Sequence, residues 1–190
     1  VNPFEGQIDT GKMMQNLLRK AQTEGILILN AIDVNSFSAD QSNVKIKLND
    51  LEFTASQLYI ATNAFAQRLL DVKLTPARNQ VIITEPIKDL NIKGCFHLDR
   101  GYYYFRNIDD RILLGGGRHL DEEGETTTEF GLTNTIQHQL EKLLHQVILP
   151  DQQVEIDQRW SGILATGSKR PIVKSIDKNV HCAVRLGGMG

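Results

Sequence analysis

The sequence predicts an α+β fold in which antiparallel strands outnumber helices. Residues 10–24 and 134–147 repeat apolar side chains at helical spacing. Residues 44–54 instead alternate apolar and polar side chains around a turn at Asn49-Asp50, which is typical of a hairpin. Residues 102–105 and 112–114 form a second predicted hairpin around a polar turn. We therefore expect antiparallel sheets with a few packed helices.

Both predicted helices carry recognisable boundaries. The first can be capped by Asp9 or Thr10 and is followed by Gly25, a common helix terminator. Its apolar side chains share one face and are Met13, Met14, Leu17, Leu18 and Ala21. The stripe of the second helix consists of Ile136, Leu140, Leu143, Leu144 and Val147.

Short apolar runs predict further strands. They cover residues 26–30, 58–61, 81–84, 154–164, 172–173 and 180–184. The first of these is expected to be buried, as is the aromatic ring of Trp160. Gly115, Gly116 and Gly117 are expected at a strand end that needs small residues. The acidic stretch 119–129 is expected to be a solvated loop.

Composition excludes several classes of function. The chain has 190 residues, 41% of them hydrophobic, and a net charge of −2, so no basic surface indicates nucleic acid as a partner. No apolar run approaches the length of a membrane span, and no signal peptide is evident. Cys95 and Cys182 are far apart and the five histidines lack metal-ligand spacing, so we expect reduced thiols, a cytoplasmic location and no metal.

The two ends of the sequence are unusual. It begins with Val1 instead of Met and ends on the glycine-rich stretch 187–190, a turn that commonly leads into a helix. We therefore expect an internal stretch of a longer protein. Such a stretch would expose apolar surface and could self-associate through it.

Four stretches together carry a family resemblance. The first is residues 10–34, a helix, glycine and apolar run ending in Asp33-Val34, followed by the hairpin 44–54, and the second is Leu58-Tyr59-Ile60-Ala61-Thr62-Asn63-Ala64-Phe65. The third joins Pro76-Ala77-Arg78-Asn79-Gln80 to Tyr104-Phe105-Arg106 and Leu114-Gly115-Gly116-Gly117. The fourth joins Trp160-Ser161-Gly162 to Thr166, Pro171 and Gly187-Gly188-Met189-Gly190. In this order and spacing the chain resembles the glycine/D-amino-acid oxidase family of flavoproteins. The third stretch is most similar to members such as γ-glutamylputrescine oxidase and sarcosine oxidase.

The resemblance implies two lobes and bound FAD. Residues 1–70 would belong to an α/β FAD-binding lobe, residues 71–165 to an antiparallel lobe that covers the flavin and the substrate, and residues 166–190 to the FAD-binding lobe again. Backbone groups of Val34 would bind the adenine. The turn Ala61-Thr62-Asn63 would approach the phosphates and ribose, which requires small residues. Asn63 stands in place of the usual glycine, and we expect the turn to be kept because Asn tolerates positive φ.

The remaining implied sites surround the flavin ring and the substrate. Gly187, Gly188, Met189 and Gly190 would pass beneath the ring, although the family often has His where Met189 stands. Tyr102 and Tyr104 would line the substrate pocket, with Tyr103 on the opposite face of its strand. Arg78 and Arg106 are further candidates for substrate binding. The competing interpretation of Arg78 is a surface salt bridge, and that of Arg106 is a solvated position in the hairpin. No catalytic acid or base is identified.

The implied reaction is oxidation of the C–N bond of an amino acid or secondary amine, with hydride transfer to flavin N5. The sequence contains no G-x-G-x-x-G loop for the FAD pyrophosphate. We therefore expect that this stretch alone binds no FAD and is inactive. Two alternatives stay open: a non-catalytic binding module, and a flavin-dependent hydroxy-acid dehydrogenase that oxidises a C–O bond.

Overall fold

The computed structural model describes residues 4, 6–49 and 51–188 of the chain. Its two α-helices are α1 (Thr10–Thr23) and α2 (Asn134–Leu143). The strands are β1 (Ser36–Ala39), β2 (Val44–Leu48), β3 (Leu51–Ala55), β4 (Leu58–Ile60), β5 (Thr75–Thr84), β6 (Cys95–Leu98), β7 (Tyr103–Ile108), β8 (Arg111–Gly116), β9 (Ile156–Thr166), β10 (Ile172–Asp177) and β11 (Val180–Val184).

The strands form three sheets. Their orders are β1-β2-β3, β10-β11-β4 and β6-β7-β8-β5-β9. Among the described residues every pairing is antiparallel except that of β4 with β11, which is parallel. The predicted α+β class and both predicted hairpins are confirmed, while Asp50 of the first hairpin turn lies outside the described residues.

Two hydrophobic cores lie on different parts of the chain. The first is built from the two three-stranded sheets, the segment 64–74 and one residue of β9, and consists of Val44, Ile46, Leu48, Ile60, Ala64, Ala66, Leu70, Val72, Leu74, Ala165, Val180, Cys182 and Val184. The second lies between the five-stranded sheet and α2 and consists of Ile82, Ile87, Tyr103, Ile112, Leu114, Ile136, Leu140, Leu144 and Leu149. The alternating burial of β2, with Val44, Ile46 and Leu48 inward, follows from the period of a strand.

Helix α1 has the predicted boundaries. The carboxylate of Asp9 accepts a hydrogen bond from the backbone N–H of Lys12 at 2.9 Å, and Gly25 follows the helix with φ +76°. The apolar face is exposed, however, and no residue of α1 is buried. The strand predicted over residues 26–30 is wrong, and Leu27 is 80% exposed. No described strand lies beside this segment to satisfy its backbone groups, which a strand requires.

Helix α2 packs its predicted apolar stripe on the five-stranded sheet. Ile136, Leu140 and Leu144 are fully buried there. The helix ends in a wider turn, Leu144–Ile148, which rotates the side chains that follow. Val147 is therefore exposed, contrary to its predicted place on the stripe. No helix among the described residues is long and apolar enough to cross a membrane.

The acidic stretch 119–129 is not wholly solvated. Glu125 is completely buried, and both of its carboxylate oxygens are occupied. Oε2 accepts from Arg78 Nε at 3.0 Å, and Oε1 accepts from Arg78 Nη2 at 2.9 Å, Gln80 Nε2 at 2.9 Å and Thr133 Oγ1 at 3.0 Å. A carboxylate removed from water needs such partners. Glu125 therefore fastens the loop to β5.

The other face of the five-stranded sheet is open. Val81 and Trp160 lie opposite each other on β5 and β9, and Trp160 is 42% exposed, so its predicted burial is wrong. Gly115 on β8 lies beneath the ring of Tyr104. A Cβ atom at Gly115 would be 2.5 Å from the Tyr104 hydroxyl oxygen and 2.5 Å from Val81 Cγ1. The predicted need for a small residue is confirmed here, and its cause is the close approach of the phenol.

Replacing Glu125 by Gln should destabilise the protein strongly. The substitution leaves the guanidinium of Arg78, whose side chain is 12% exposed, without its counter-ion. We expect a loss of about 3–5 kcal/mol in the free energy of unfolding, measured by denaturant titration. Glu122→Gln is the matched control, because Glu122 pairs with Arg118 at 3.5 Å and is 77% exposed; its midpoint should barely move. Equal stability of the two variants would contradict a stabilising role for the buried pair.

The same carboxylate predicts a dependence of stability on pH. Burial raises the pKa of Glu125, but hydrogen bonds from Arg78, Gln80 and Thr133 outweigh it and hold the pKa below its ordinary value. The pair therefore stabilises the fold above the ordinary glutamate pKa of about 4.3, and this contribution disappears as the pH falls through the lower pKa of the folded protein. The stability difference between wild type and Glu125→Gln should shrink on acidification. A difference that is constant with pH would refute the assignment.

Substituting Gly115 by Ala should also destabilise the protein, because the new methyl group would collide with Tyr104 and Val81. Overpacking of this kind costs about 1–3 kcal/mol. Gly162 on β9 serves as a control, since a Cβ atom there meets no atom within 4 Å. Thermal melts should show a lower midpoint for Gly115→Ala than for Gly162→Ala, and the reverse order would be inconsistent with the close approach of the phenol.

Candidate active site

The parallel pairing of β4 with β11 brings two distant turns together. In β4 and β11, Leu58 lies opposite Val180 and Ile60 lies opposite Cys182. The turn at residues 61–63 follows β4, and the turn at residues 185–188 follows β11. Both turns therefore lie at the carboxyl ends of adjacent parallel strands, which is where α/β sheets bind ligands.

Asn63 connects the two turns. Its backbone has φ +43°, as expected for an Asn in place of glycine. Its side-chain Oδ1 accepts a hydrogen bond from the backbone N–H of Leu186 at 3.0 Å. This hydrogen bond directly joins the two turns that are predicted to contact the cofactor, and its two residues are 123 positions apart in sequence.

One cleft, here called the Val34 cleft, has a volume of about 760 Å³. Its lining consists of Ile32, Asp33, Val34, Thr62, Phe65, Arg68, Leu69, Thr128, Glu129 and Phe130. Val34 and Thr62, predicted from different stretches, border the same space. Within the described residues the backbone amide and carbonyl of Val34 have no hydrogen-bond partner. Both groups are therefore available to a ligand.

A second cleft, here called the Tyr104 cleft, has a volume of about 360 Å³. It is lined by Asn79, His97, Gly101, Tyr102, Tyr104, Gly116, Arg118, Leu164, Thr166 and Gly188. The predicted substrate residues Tyr102 and Tyr104 thus share one cleft with Gly188 of the predicted flavin turn. In the described part of the chain the N–H groups of Gly187 and Gly188 are not hydrogen-bonded. Met189 and Gly190 lie outside the described residues.

The three tyrosines have distinct environments. Tyr103 is buried in the second core and Tyr104 faces the cleft on the other side of β7, as the alternation predicts. The hydroxyl of Tyr104 accepts a hydrogen bond from Asn79 Nδ2 at 3.1 Å, and burial raises the pKa of its phenol. Tyr102 precedes the strand and packs against His119, with ring centroids 4.1 Å apart.

The two predicted arginines lie outside the Tyr104 cleft. Arg78 is committed to Glu125 on the opposite face of β5, and its hydrogen bond to that carboxylate raises the pKa of the guanidinium. Nη1 of Arg106 donates to the backbone carbonyl of Ile8 at 2.7 Å. Neither guanidinium borders the cleft in this structure. Their role in substrate binding stays a prediction.

Other lining residues were not predicted from the sequence. Asn79, His97, Arg118 and Leu164 reach the cleft from four different segments. Alternation along β5 could have identified Asn79, because it shares a face with Val81 and not with the buried Gln80. The other three depend on strand pairing across the sheet, for which the sequence carries no local signal.

The charge of the Tyr104 cleft is one-sided. Arg118 carries the one formal positive charge among its described lining residues, and no carboxylate is among them. A cationic ligand group would therefore have no counter-ion there, whereas Tyr104 and Arg118 can donate to an acceptor. The residues described by the structure also contain no cluster of His, Cys, Asp and Glu that could hold a metal ion.

Three solved structures share this fold. L-proline dehydrogenase from P. horikoshii superposes with a TM-score of 0.81 at 21% identity, over 100% of this chain and 53% of that one. Glycine oxidase from Geobacillus kaustophilus gives 0.81 at 18% identity, over 97% and 50%. Iminodiacetate oxidase from Chelativorans sp. BNC1 gives 0.74 at 20% identity, over 92% and 48%. The chain spans about half the length of these structures.

The sequence comparisons identify a family for this chain but no individual curated relative. No curated protein matches the sequence. The family described as DAO, FAD dependent oxidoreductase, matches residues 1–190, which is the whole chain. Together with the antiparallel sheet and the paired turns beside it, this match shows that the chain belongs to the DAO family of FAD-dependent oxidoreductases.

Proposed function

We propose that the chain is part of an enzyme that oxidises the C–N bond of an amino acid or secondary amine by hydride transfer to FAD. The observation that carries this proposal is the Tyr104 cleft, where the turn at Gly187 and Gly188 meets the aromatic face of β7. A bound flavin would supply the hydride acceptor, its N5 atom. The chain itself contributes binding, orientation and exclusion of water.

The clefts suggest how the cofactor would be held. The free backbone groups of Val34 suit adenine, whose ring edge presents donors and acceptors. The turn Ala61-Thr62-Asn63 suits the phosphates. The N–H groups of Gly187 and Gly188, which no described residue accepts, suit the electron-rich edge of the flavin. We propose that Met189 and Gly190 also bind the flavin. Apart from the chain neighbours of Gly188, no atom of the described residues lies within 4 Å of a Cβ position there, so a planar ring could approach the turn closely.

The two hydrophobic cores support the division into lobes. The first core draws on residues 44–74 and 165–184, and the second on residues 82–149. We propose that residues 1–70 and 166–190 belong to the FAD-binding lobe and residues 71–165 to the lobe that covers the flavin. The exposed apolar residues Leu27, Tyr59 and Val173 would be covered by other parts of the FAD-binding lobe or by self-association.

The charge of the cleft favours a neutral amine as the reacting species. No described lining residue is a carboxylate, so an ammonium group would lose its water without gaining a counter-ion. A neutral amine has no such penalty, and its lone pair assists departure of the hydride. The Tyr104 phenol stays protonated well above neutral pH because burial raises its pKa, so it can donate to the substrate throughout.

We expect the flavin of the protein that carries this chain to lose its visible absorbance when an amino acid or secondary amine is added without oxygen. The rate at low substrate concentration should rise with pH as the amine loses its proton, about tenfold per pH unit below the amine pKa. Stopped-flow absorbance measures both effects.

Matched hydroxy acids are the control substrates. Bleaching by a hydroxy acid and not by the corresponding amino acid would overturn C–N oxidation in favour of C–O oxidation. A protein that binds no flavin would overturn the proposal altogether. We further propose that residues 1–190 alone retain no FAD, because they contain no G-x-G-x-x-G loop; a flavin spectrum of the isolated stretch would disprove this.

A further inference from the structure

The hydroxyl of Tyr104 is held in place by two neighbours. Nδ2 of Asn79 donates to it at 3.1 Å from the adjacent strand β5. Gly115 lies under the ring, where a Cβ atom would come within 2.5 Å of the hydroxyl oxygen. The phenol therefore lies flat against β8, with its oxygen fixed beside Asn79 and open to the cleft.

The direction of the bond to Asn79 decides what the phenol can do. A phenol has one proton to donate and lone pairs to accept with. The Nδ2–H group of Asn79 donates to one lone pair of the Tyr104 hydroxyl oxygen. The hydroxyl proton of Tyr104 must therefore point away from Asn79. No described residue accepts it, so the remaining direction is the cleft.

Strand β5 is rigid at this point because of contacts on its opposite face. Arg78 and Gln80, the neighbours of Asn79 in sequence, both bond to the buried carboxylate of Glu125. The strand is paired with β9 at Asn79 itself, opposite Gly162, and with β8 from Gln80 onward. Asn79 thus projects into the cleft from a backbone that is held by β9 and by the contacts of both sequence neighbours.

We propose that Asn79 is a positioning residue that directs the proton of the Tyr104 hydroxyl into the cleft, so that the cleft selects substrates with a hydrogen-bond acceptor at that place. This inference rests on the proposed function for the identity of the ligand. The orientation of Tyr104 by Asn79 is a property of the chain and can be tested without turnover.

The first test follows the titration of Tyr104 by NMR of ring-labelled tyrosine in the complete protein, with Tyr104→Phe identifying the resonance. The amide of Asn79 stabilises the phenolate, so Asn79→Ala should raise the pKa of Tyr104. Asn79→Asp should raise it further, because a carboxylate accepts the phenol proton and repels the phenolate. Asn91→Asp is the control for the charge change, since Asn91 is exposed and outside the cleft. An unchanged pKa in both Asn79 variants would overturn the proposal.

The second test measures kinetics on the flavin-loaded protein with a substrate that carries an acceptor group. Asn79→Ala and Tyr104→Phe should each raise KM about tenfold, the usual effect of one neutral hydrogen bond, with little change in kcat. The double variant should show no further rise, since both changes remove the same interaction. Independent, additive effects of the two substitutions would contradict the proposal.

The two tests separate this inference from the proposed function. Failure of the proposed function would appear as a lack of oxidation of any amine by wild-type protein. In that case the NMR titration still decides whether Asn79 orients Tyr104. Normal amine oxidation with an unshifted Tyr104 pKa would leave the proposed function standing and remove the role of Asn79.

Discussion

The long antiparallel pairing of β5 with β9 connects the two hydrophobic cores and sets which side chains of β5 face each side of the sheet. It runs antiparallel from Thr75 opposite Thr166 to Thr84 opposite Ile156, and it forms the longest contact between two strands among the described residues. One end of the ladder reaches the first core through Ala165, and Ile82 near the other end lies in the second core. A displacement of β5 by one residue would exchange its two faces and remove Ile82 from the second core.

The two faces of β5 have different tasks, and the side chains follow the period of the strand. One face directs Arg78 and Gln80 to the buried carboxylate of Glu125, a polar contact whose partners satisfy one another. The other face directs Asn79 to the cleft. The buried network thus fixes the strand that presents Asn79 to the cleft. The buried contact and the cleft-facing residue are one position apart in sequence, because adjacent side chains point to opposite sides of a sheet.

Local signals explain what could be predicted from the sequence. The Asp9 cap fixes the start of α1, and the alternation at residues 102–104 places Tyr103 in the core and Tyr104 toward the cleft. Predictions failed where the outcome depends on distant partners. Residues 26–30 form no strand because no described strand pairs with them, and Glu125 is buried because Arg78, 47 positions away, offers a matching charge. The family resemblance identified residues that line the two clefts, and local periodicity alone does not identify them.

We propose that the Tyr104 cleft binds the substrate while the turn at Gly187 and Gly188 supports the flavin. A crystal structure of the complete protein with FAD and a non-reactive carboxylate analogue of an amino acid would test both roles at once. We expect the flavin ring between this turn and the open face of the five-stranded sheet, with the analogue accepting a hydrogen bond from the hydroxyl of Tyr104. A flavin or analogue bound away from both elements would contradict it.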